Sequence, residues 1–307
     1  MRGRLPPWFK KKMPDPMVMA SMRALFDGLS LHTICESALC PNQGDCFSNR
    51  TATFLLLGDI CTRNCTFCAV FSGKPAIPDP DEARRVAQSI QELGLQYAVI
   101  TSVTRDDLPC GGAGQFAATI RAIRDRCPDC RVEVLIPDFQ GNPNALITVI
   151  AAAPDVLNHN LETVPSLYPL VRPQANYRRS LGVLKQSADS GLRTKTGLML
   201  GLGETDPEIL RVLEDVLSAG CRLLTLGQYL QPTKNHHPVA RFLHPDEFRR
   251  WAQKGGEMGF EHVEAGPLVR SSYKARQQAE ALLQSAALSI LQLESKRPPP
   301  PGSSPRR

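Results

Sequence analysis

From Thr51 onward, short apolar runs alternate with stretches whose apolar residues recur at helical spacing. The runs Thr53–Gly58, Tyr97–Val103, Val132–Ile136, Asp155–His159, Thr194–Leu200, Leu223–Leu226 and Phe260–Glu264 predict strands. Runs this short and this apolar fit strands covered on both faces. Between them, Asp81–Leu93, Gly114–Arg126, Asn144–Ala152, Tyr177–Ser190, Asp206–Ala219 and Pro245–Met258 predict helices. The punctuation agrees with these limits. Asp79 or Asp81 stands near the start of the first helix, and Gly191 closes the fourth. In the fifth, Asp206 is the expected cap, Pro207 the first helical residue and Gly220 the stop.

Six or seven strand–helix units in alternation imply a parallel sheet with helices outside it. An open doubly covered sheet has the same alternation. Polar residues gather at the C-terminal strand ends, at Thr101-Ser102, Asn158 to Glu162, Gly203-Glu204 and Gln228. That rim is where barrels build active sites, which favours a partial barrel. Residues 1–50 are rich in Pro, Met and Lys, with one helix expected over Met19–Leu29. Residues 296–307 (KRPPPPGSSPRR) are low in complexity and expected to be a disordered tail. A polyproline ligand is the alternative for that tail.

The 42% hydrophobic and 21% charged content is that of an ordinary globular protein. The net charge of +6 sits partly at the ends, in Lys10-Lys11-Lys12 and Arg306-Arg307, so a nucleic-acid partner is not expected. The start, MRGRLPPWFKKK, has no apolar core of a secretory signal, and no run of 18 apolar residues spans a membrane. Cysteine changes the picture. Six of the ten fall between Cys35 and Cys68. Clustered cysteines without an export signal point to metal in a reducing cytoplasm, not to disulfides.

Cys61, Cys65 and Cys68 form C-x3-C-x2-C in GDICTRNCTFCAV, directly after the first strand of the repeating part. Three thiolates this close suit one iron–sulfur cluster, and the missing fourth leaves an iron open to a ligand. Structural zinc is the competing occupant, but it prefers four ligands. Cys35, Cys40 and Cys46 form a second triad, C-x4-C-x5-C, in TICESALCPNQGDCF; Pro41 and Gly44 predict a loop that could wrap a second cluster.

C-x3-C-x2-C with an aromatic at Phe67 resembles the radical S-adenosylmethionine (SAM) signature. C-x4-C-x5-C just upstream resembles the auxiliary-cluster motif of lipoyl synthases. VITSVTRDDL (Val99–Leu108), NHNLETV (Asn158–Val164), GLMLGLGE (Gly197–Glu204), LTLGQYLQPT (Leu224–Thr233) and GPLVRSSY (Gly266–Tyr273) resemble that family in order and spacing. The resemblance runs from about Pro6 to Lys274.

It implies an α/β fold, a partial (β/α)6 TIM-like barrel of the radical SAM type. Residues 1–50 would be an extension carrying the auxiliary-cluster cysteines, 51–265 the barrel, and 266–295 a closing segment with RSSY. It implies two 4Fe–4S clusters, one on Cys61, Cys65 and Cys68 that binds SAM, one on Cys35, Cys40 and Cys46. It implies insertion of sulfur at C6 and C8 of a protein-bound octanoyl-lysine, the sulfur coming from the auxiliary cluster, which is consumed. A serine of RSSY ligates the auxiliary cluster in relatives, which falls on Ser272, with Ser271 the near alternative. Phe67 belongs to the SAM signature, and Gly197, Met199, Gly201 and Glu204 match a pattern that radical SAM proteins place against adenosine, where the glycines would let backbone approach a ligand. A plain strand–turn–helix junction is the other reading of that motif. Ser102 and Asn158 lie at strand ends and are candidates to bond the SAM methionine or ribose, with a merely solvated rim the equal alternative. Expected partners are octanoylated lipoyl-carrier proteins (lipoyl domains or the glycine cleavage H protein type), an electron donor such as ferredoxin or flavodoxin, and an iron–sulfur carrier.

His159 reads as a structural histidine. Arg172 and Arg178 are candidates for SAM carboxylate or carrier acids, or else a solvated helix face. Cys110, Cys127, Cys130 and Cys221 take no role from the resemblance, and the C-x2-C of Cys127 and Cys130 lacks a partner pair. A biotin synthase-like sulfur inserter is the runner-up enzyme, and a zinc-dependent nucleic-acid-binding module the alternative from another class.

Overall fold

The computed structural model describes residues 5–10, 14–49, 51–273, 275 and 277. The tail from Lys296, Lys11, Lys12 and nearly all of the expected closing segment beyond 273 lie outside the described residues.

The N-terminal part holds helix α1 (Pro16–Gly28), strand β1 (His32–Thr33) and short helices α2 (Ile34–Ser37) and α3 (Gln43–Ser48). Helix α1 starts earlier than the apolar pattern predicts, because Asp15 accepts the Met17 N–H and Pro16 opens the first turn. The upstream cysteines lie on two short helices and the turn between them, which carries Cys40, not on a plain loop. Cys35 is in α2, which Thr33 caps, and Cys46 is in α3.

Next come β2 (Thr53–Leu56), β3 (Ile60–Cys61), β4 (Phe71–Ser72) and α4 (Glu82–Leu93). Then β5 (Tyr97–Ser102), α5 (Ala113–Arg126), β6 (Arg131–Leu135), α6 (Pro143–Ala151), β7 (Val156–Asn158) and α7 (Tyr168–Val171). The rest is α8 (Tyr177–Asp189), β8 (Thr194–Leu200), α9 (Asp206–Ser218), β9 (Leu223–Gln228), α10 (Pro245–Met258) and β10 (His262–Gly266). The main sheet has the order β1-β2-β5-β6-β7-β8-β9-β10. Only β1 is antiparallel to its neighbour. The parallel register sets Thr53 opposite Val99, Val99 opposite Glu133 and Thr196 opposite Leu224. Six strand–helix units, β2–α4 through β9–α10, are thus followed by a seventh parallel strand.

The sheet curls. Thr53 and Leu55 of β2, Thr101 of β5, Leu135 of β6, Met199 of β8 and Thr225 of β9 all line one cavity. Strands far apart in the order can share a cavity only if the sheet wraps around it, as in a partial barrel. Outside, helices cover the strands. In α4, Ala83, Val86, Ala87 and Ile90 form the buried stripe, and Gly94 at φ 64° ends the helix in the left-handed region.

One cap differs from expectation. Thr205, not Asp206, caps α9, because the Glu208 carboxylate accepts from both the Thr205 N–H (2.9 Å) and its hydroxyl (2.8 Å). T-D-P-E therefore reads as a capping box starting at Thr205. Strand β2 ends before Leu57 and Gly58, which take left-handed φ values of 69° and 87°. Glu82, buried at the start of α4, accepts the Leu57 N–H (2.9 Å) and a Gln115 amide proton (2.9 Å). A buried carboxylate so satisfied fixes the turn that launches the C-x3-C-x2-C loop. Among the described residues, no helix is long and apolar enough to cross a membrane.

Candidate active site

The cavity inside the curled sheet has a volume of about 460 Å³. Cys61, Cys65 and Cys68 stand on its wall with Cys40 of the upstream triad and Ser272. All ten cysteines are free thiols.

The downstream triad is held by backbone. Thr62 donates from N–H (3.0 Å) and hydroxyl (2.9 Å) to the Thr104 carbonyl. Thr66 donates its N–H to the Val171 carbonyl (2.9 Å). The Cys61 sulfur accepts from the Arg63 and Thr104 N–H groups, each at 3.4 Å. Arg63, between the first two cysteines, turns inward. It meets Asp106 at 2.7 Å and Asp138 at 2.6 Å, and Asp138 also takes Arg179 at 3.2 Å. Burial would raise the Asp138 carboxyl, but hydrogen bonding and charge from Arg63 hold it down at about 2.

Within each triad the thiols lie close enough to influence one another. Burial pushes the Cys68 thiol up to about 12, with Cys65 and Cys61 adding to it. Burial also pushes Cys35 up to about 12, with Cys40 and Cys46 adding to it. Cys65 moves the same way. Thiols so placed give up protons when a cationic metal group supplies the opposing charge. Among the described residues, no three His, Cys, Asp or Glu side chains are grouped to hold a single metal ion. Thiolates that take different irons of one cluster need no such tight grouping.

Three buried polar atoms on this wall have no partner: the Ser102 hydroxyl, Nε2 of His159 and Nε of Arg172. A buried polar group left unpaired costs about 1–3 kcal/mol. Three around one cavity mark where a polar ligand belongs. His159 Nδ1 faces the Ile136 carbonyl at 2.8 Å. Burial and the Arg172 charge hold the ring down at about 4, so near neutrality Nδ1 carries the proton and Nε2 offers a lone pair. Arg172 is buried. Its Nη1 donates to the Asn160 and Leu161 carbonyls, each at 2.9 Å, and its guanidinium lies over the Tyr168 ring. Arg178, its sequence partner as a candidate, is exposed.

Phe67 and Ser102 line the cavity. Phe67 also packs on the cluster of Val171, Leu202 and Tyr229. Asn158, Gly201 and Glu204, expected at the cofactor, stand outside the cavity. Asn158 points below it and donates to Glu133 (3.1 Å), while Asn160 lines it. The Glu204 carboxylate folds back to accept the Gly201 (2.6 Å), Leu202 (2.9 Å) and Gly203 (3.1 Å) N–H groups, closing its own turn. A Cβ on Gly201 would collide with the Gln228 side chain and the Arg241 carbonyl, so protein fills that space. At Gly197 it would meet Thr225 Oγ1 (2.7 Å), Asn160 Oδ1 (2.9 Å) and Ser271 Oγ (3.1 Å). Gly197 therefore makes room for the RSSY segment.

That segment separates the two serines. The Ser271 hydroxyl is engaged with Asn160, accepting from Nδ2 (2.7 Å) and donating to Oδ1 (3.0 Å). Both serines line the cavity, so what separates them is the engagement of Ser271 with Asn160. Two cavity residues lay inside motifs of the sequence reading but were given no role there. Glu162, at φ 67°, is a half-buried residue whose carboxyl is raised by desolvation, with the charges of Arg172 and Arg270 opposing the rise. Arg270 lines the same wall. Glu162 lay inside the polar stretch after β7, and a non-glycine residue in a left-handed conformation cannot be read from sequence.

Residues 55–216 match the family model of the Radical SAM superfamily. The chain is 56% identical over 283 residues to the lipoyl synthase of Rubrobacter xylanophilus, covering 91% of this chain and 88% of that one. It is 53% identical over 272 residues to the lipoyl synthase of Oleidesulfovibrio alaskensis, covering 89% and 94%. Among solved structures, it is similar to Streptococcus suis SuiB bound to S-adenosylmethionine, with a TM-score of 0.54 and 10% identity over 66% of this chain and 46% of that one. At that identity the likeness concerns the fold alone.

Proposed function

The chain belongs to the lipoyl synthase family of radical SAM enzymes, and from that membership we propose how its cavity residues divide the work of inserting sulfur into a lysine-bound octanoyl chain. The observation that carries the reading is the shared wall: Cys40 of one triad, all three cysteines of the other and Ser272 face one cavity.

The residues fit the cofactors the family uses. Cys61, Cys65 and Cys68 would hold the SAM-binding 4Fe–4S cluster, and Cys35, Cys40, Cys46 and Ser272 the auxiliary one. When bound, the clusters and SAM supply the electron, the hydrogen-abstracting agent and the sulfur that no acid or base can provide at an unactivated C–H bond. The chain binds, orients and keeps out water. Arg172, with its free Nε, faces a carboxylate such as that of the SAM methionine. Neutral His159 accepts through Nε2 from an ammonium or hydroxyl, and Ser102 donates or accepts through Oγ. Leu55, Val103, Leu135 and Tyr229 on the walls favour an apolar chain and a dry reaction space. Leu39, 62% exposed beside Cys40 and lining the cavity, is an apolar threshold for the octanoyl tail.

Residues 1–50 are read as the extension that brings the sulfur-donating triad, 51–265 as the barrel and 266–295 as the closing segment. The substrates are octanoylated carrier domains, with lipoyl domains and H protein-type carriers as the candidates. The reductant is of the ferredoxin or flavodoxin class, and an iron–sulfur carrier rebuilds the auxiliary site. Ten cysteines outside disulfides suit the reducing cytoplasm. Anaerobic turnover of an octanoyl-lysine peptide with SAM and a strong reductant, read by mass, tests the reading. A mass gain of two sulfurs with loss of hydrogen is expected. A colourless, zinc-loaded protein that leaves the peptide unchanged would overturn it.

A further inference from the structure

The geometry points to Lys195 as a positioning residue that places Ser272 for the auxiliary cluster; this rests on the reading of Ser272 as a ligand. Lys195 on β8 and Glu133 on β6 face each other at 3.1 Å beneath the cavity, 2% and 1% exposed. Glu133 is further bound by the Tyr97 hydroxyl (2.7 Å) and the Asn158 amide (3.1 Å). Taking two charges out of water is unfavourable, and apolar side chains of similar size fill a barrel floor at least as well. Stability alone therefore does not explain the pair.

The third contact of Lys195 does. An ammonium has three donors. Two reach the Glu133 oxygens at 3.1 and 3.4 Å, and the shortest, 2.6 Å, reaches the backbone carbonyl of Ser271. That carbonyl belongs to the peptide group joining Ser271 to Ser272. The group is planar, so fixing its oxygen fixes the Cα of Ser272. Residues 271–273 form a turn beyond the end of β10, where no sheet ladder sets their path. Side chains set it instead. Asn160 holds the Ser271 hydroxyl, Asn42 donates to the Leu268 carbonyl (2.7 Å), and the Tyr273 hydroxyl donates to Asp45 (2.8 Å). Lys195 grips the backbone next to Ser272 from the barrel side. Through Glu133 and Asn158 it ties that backbone to strands β6 and β7, the second of which leads to His159 and Asn160. Lys195 thereby sets the distance between the serine and the rest of the cavity wall.

The test uses iron-57-loaded full-length protein carrying both clusters, read by Mössbauer spectroscopy. Ser272→Ala serves as the reference for a lost oxygen ligand. Lys195→Met should retain the iron of both clusters yet lose the same auxiliary-cluster component that Ser272→Ala loses, and sulfur insertion should fall by about tenfold or more. Because Lys195→Met leaves the Glu133 charge buried alone, Lys195→Met/Glu133→Gln is made beside it; it removes both charges and should show the same spectrum. An unchanged spectrum in whichever of these variants folds, with Ser272→Ala altered, overturns the role of Lys195 while leaving the ligand intact. An unchanged spectrum in Ser272→Ala overturns the ligand reading and the inference with it.

Discussion

His236 Nε2 stands 2.9 Å from the carbonyl oxygen of Cys68. The other ring nitrogen meets the Thr233 hydroxyl at 2.8 Å. A neutral ring satisfies both if Nε2–H donates to the carbonyl and Nδ1 accepts from the hydroxyl. Next to it, His237 donates its N–H to the Thr66 carbonyl (2.8 Å) and its Nε2 faces the Leu202 carbonyl (3.0 Å). The 233–237 loop thus grips the second half of the C-x3-C-x2-C loop.

His236→Ala should loosen that half. Loss of one such bond is worth about 1 kcal/mol, so SAM cleavage should drop a few-fold. Iron on Cys61, Cys65 and Cys68 should leave faster to a chelator, while iron on the upstream triad leaves at its usual rate. Equal release from both sites would show that His236 acts on the fold as a whole.

The two triads should separate by mutation. Cys65→Ala should abolish 5′-deoxyadenosine formation and lipoyl product together. Cys40→Ala should abolish the product while 5′-deoxyadenosine still forms. Chromatography of the nucleoside and mass analysis of the peptide read both. Product from Cys40→Ala without added sulfide would remove the upstream triad as donor.

Ser272→Cys should keep the auxiliary cluster and slow sulfur transfer by about tenfold or more. Thiolate is a softer, better matched ligand for iron than oxygen, and it is released less readily. Single-turnover kinetics should show the loss at the sulfur step, not in SAM binding. Ser271→Cys should act differently, because its hydroxyl is engaged with Asn160.

His159 predicts an acid-sensitive fold. Burial, aided by Arg172, holds its ring at about 4 against an ordinary 6.5. As pH falls from 6.5, the unfolded chain takes up a proton that the folded one refuses until about 4, so folding stability falls across that window. The drop is about 3 kcal/mol at about 1.4 kcal/mol per unit. Glu82 and Glu162, whose carboxyls are raised, act in the opposite sense as pH falls. The reading is therefore the difference between the unmodified chain and His159→Gln. In urea melts of the cluster-free protein, His159→Gln should lose less stability between pH 6.5 and 4. Equal losses would show that the ring titrates normally.

The β/α alternation and both triads were legible in the sequence, because two-faced burial gives short apolar runs and because thiolates must be close in sequence to share a loop. Cap detail was less so. Asp206 is a good cap residue, yet Thr205 wins through its reciprocal partner Glu208. At the site, sequence could mark the polar stretch after β7 but not which side chains turn inward. Asn158 still belongs to the strand and meets Glu133. Two residues on, Asn160 has left the ladder and reaches the cavity and Ser271. Glu204 matched a motif, but its carboxylate serves three local N–H groups, a use decided by turn geometry alone. Arg63 and Asp138 are far apart in sequence, and nothing in either neighbourhood announces their contact.

The hydrogen bond from Tyr273 to Asp45 joins residues 228 positions apart. During synthesis, the upstream cysteines emerge long before the serine segment that faces them. The intervening barrel supplies Lys195 and Asn160, the groups that receive that segment. On the reading of Ser272 as a ligand, iron delivered before that segment docks would meet a half-built mould.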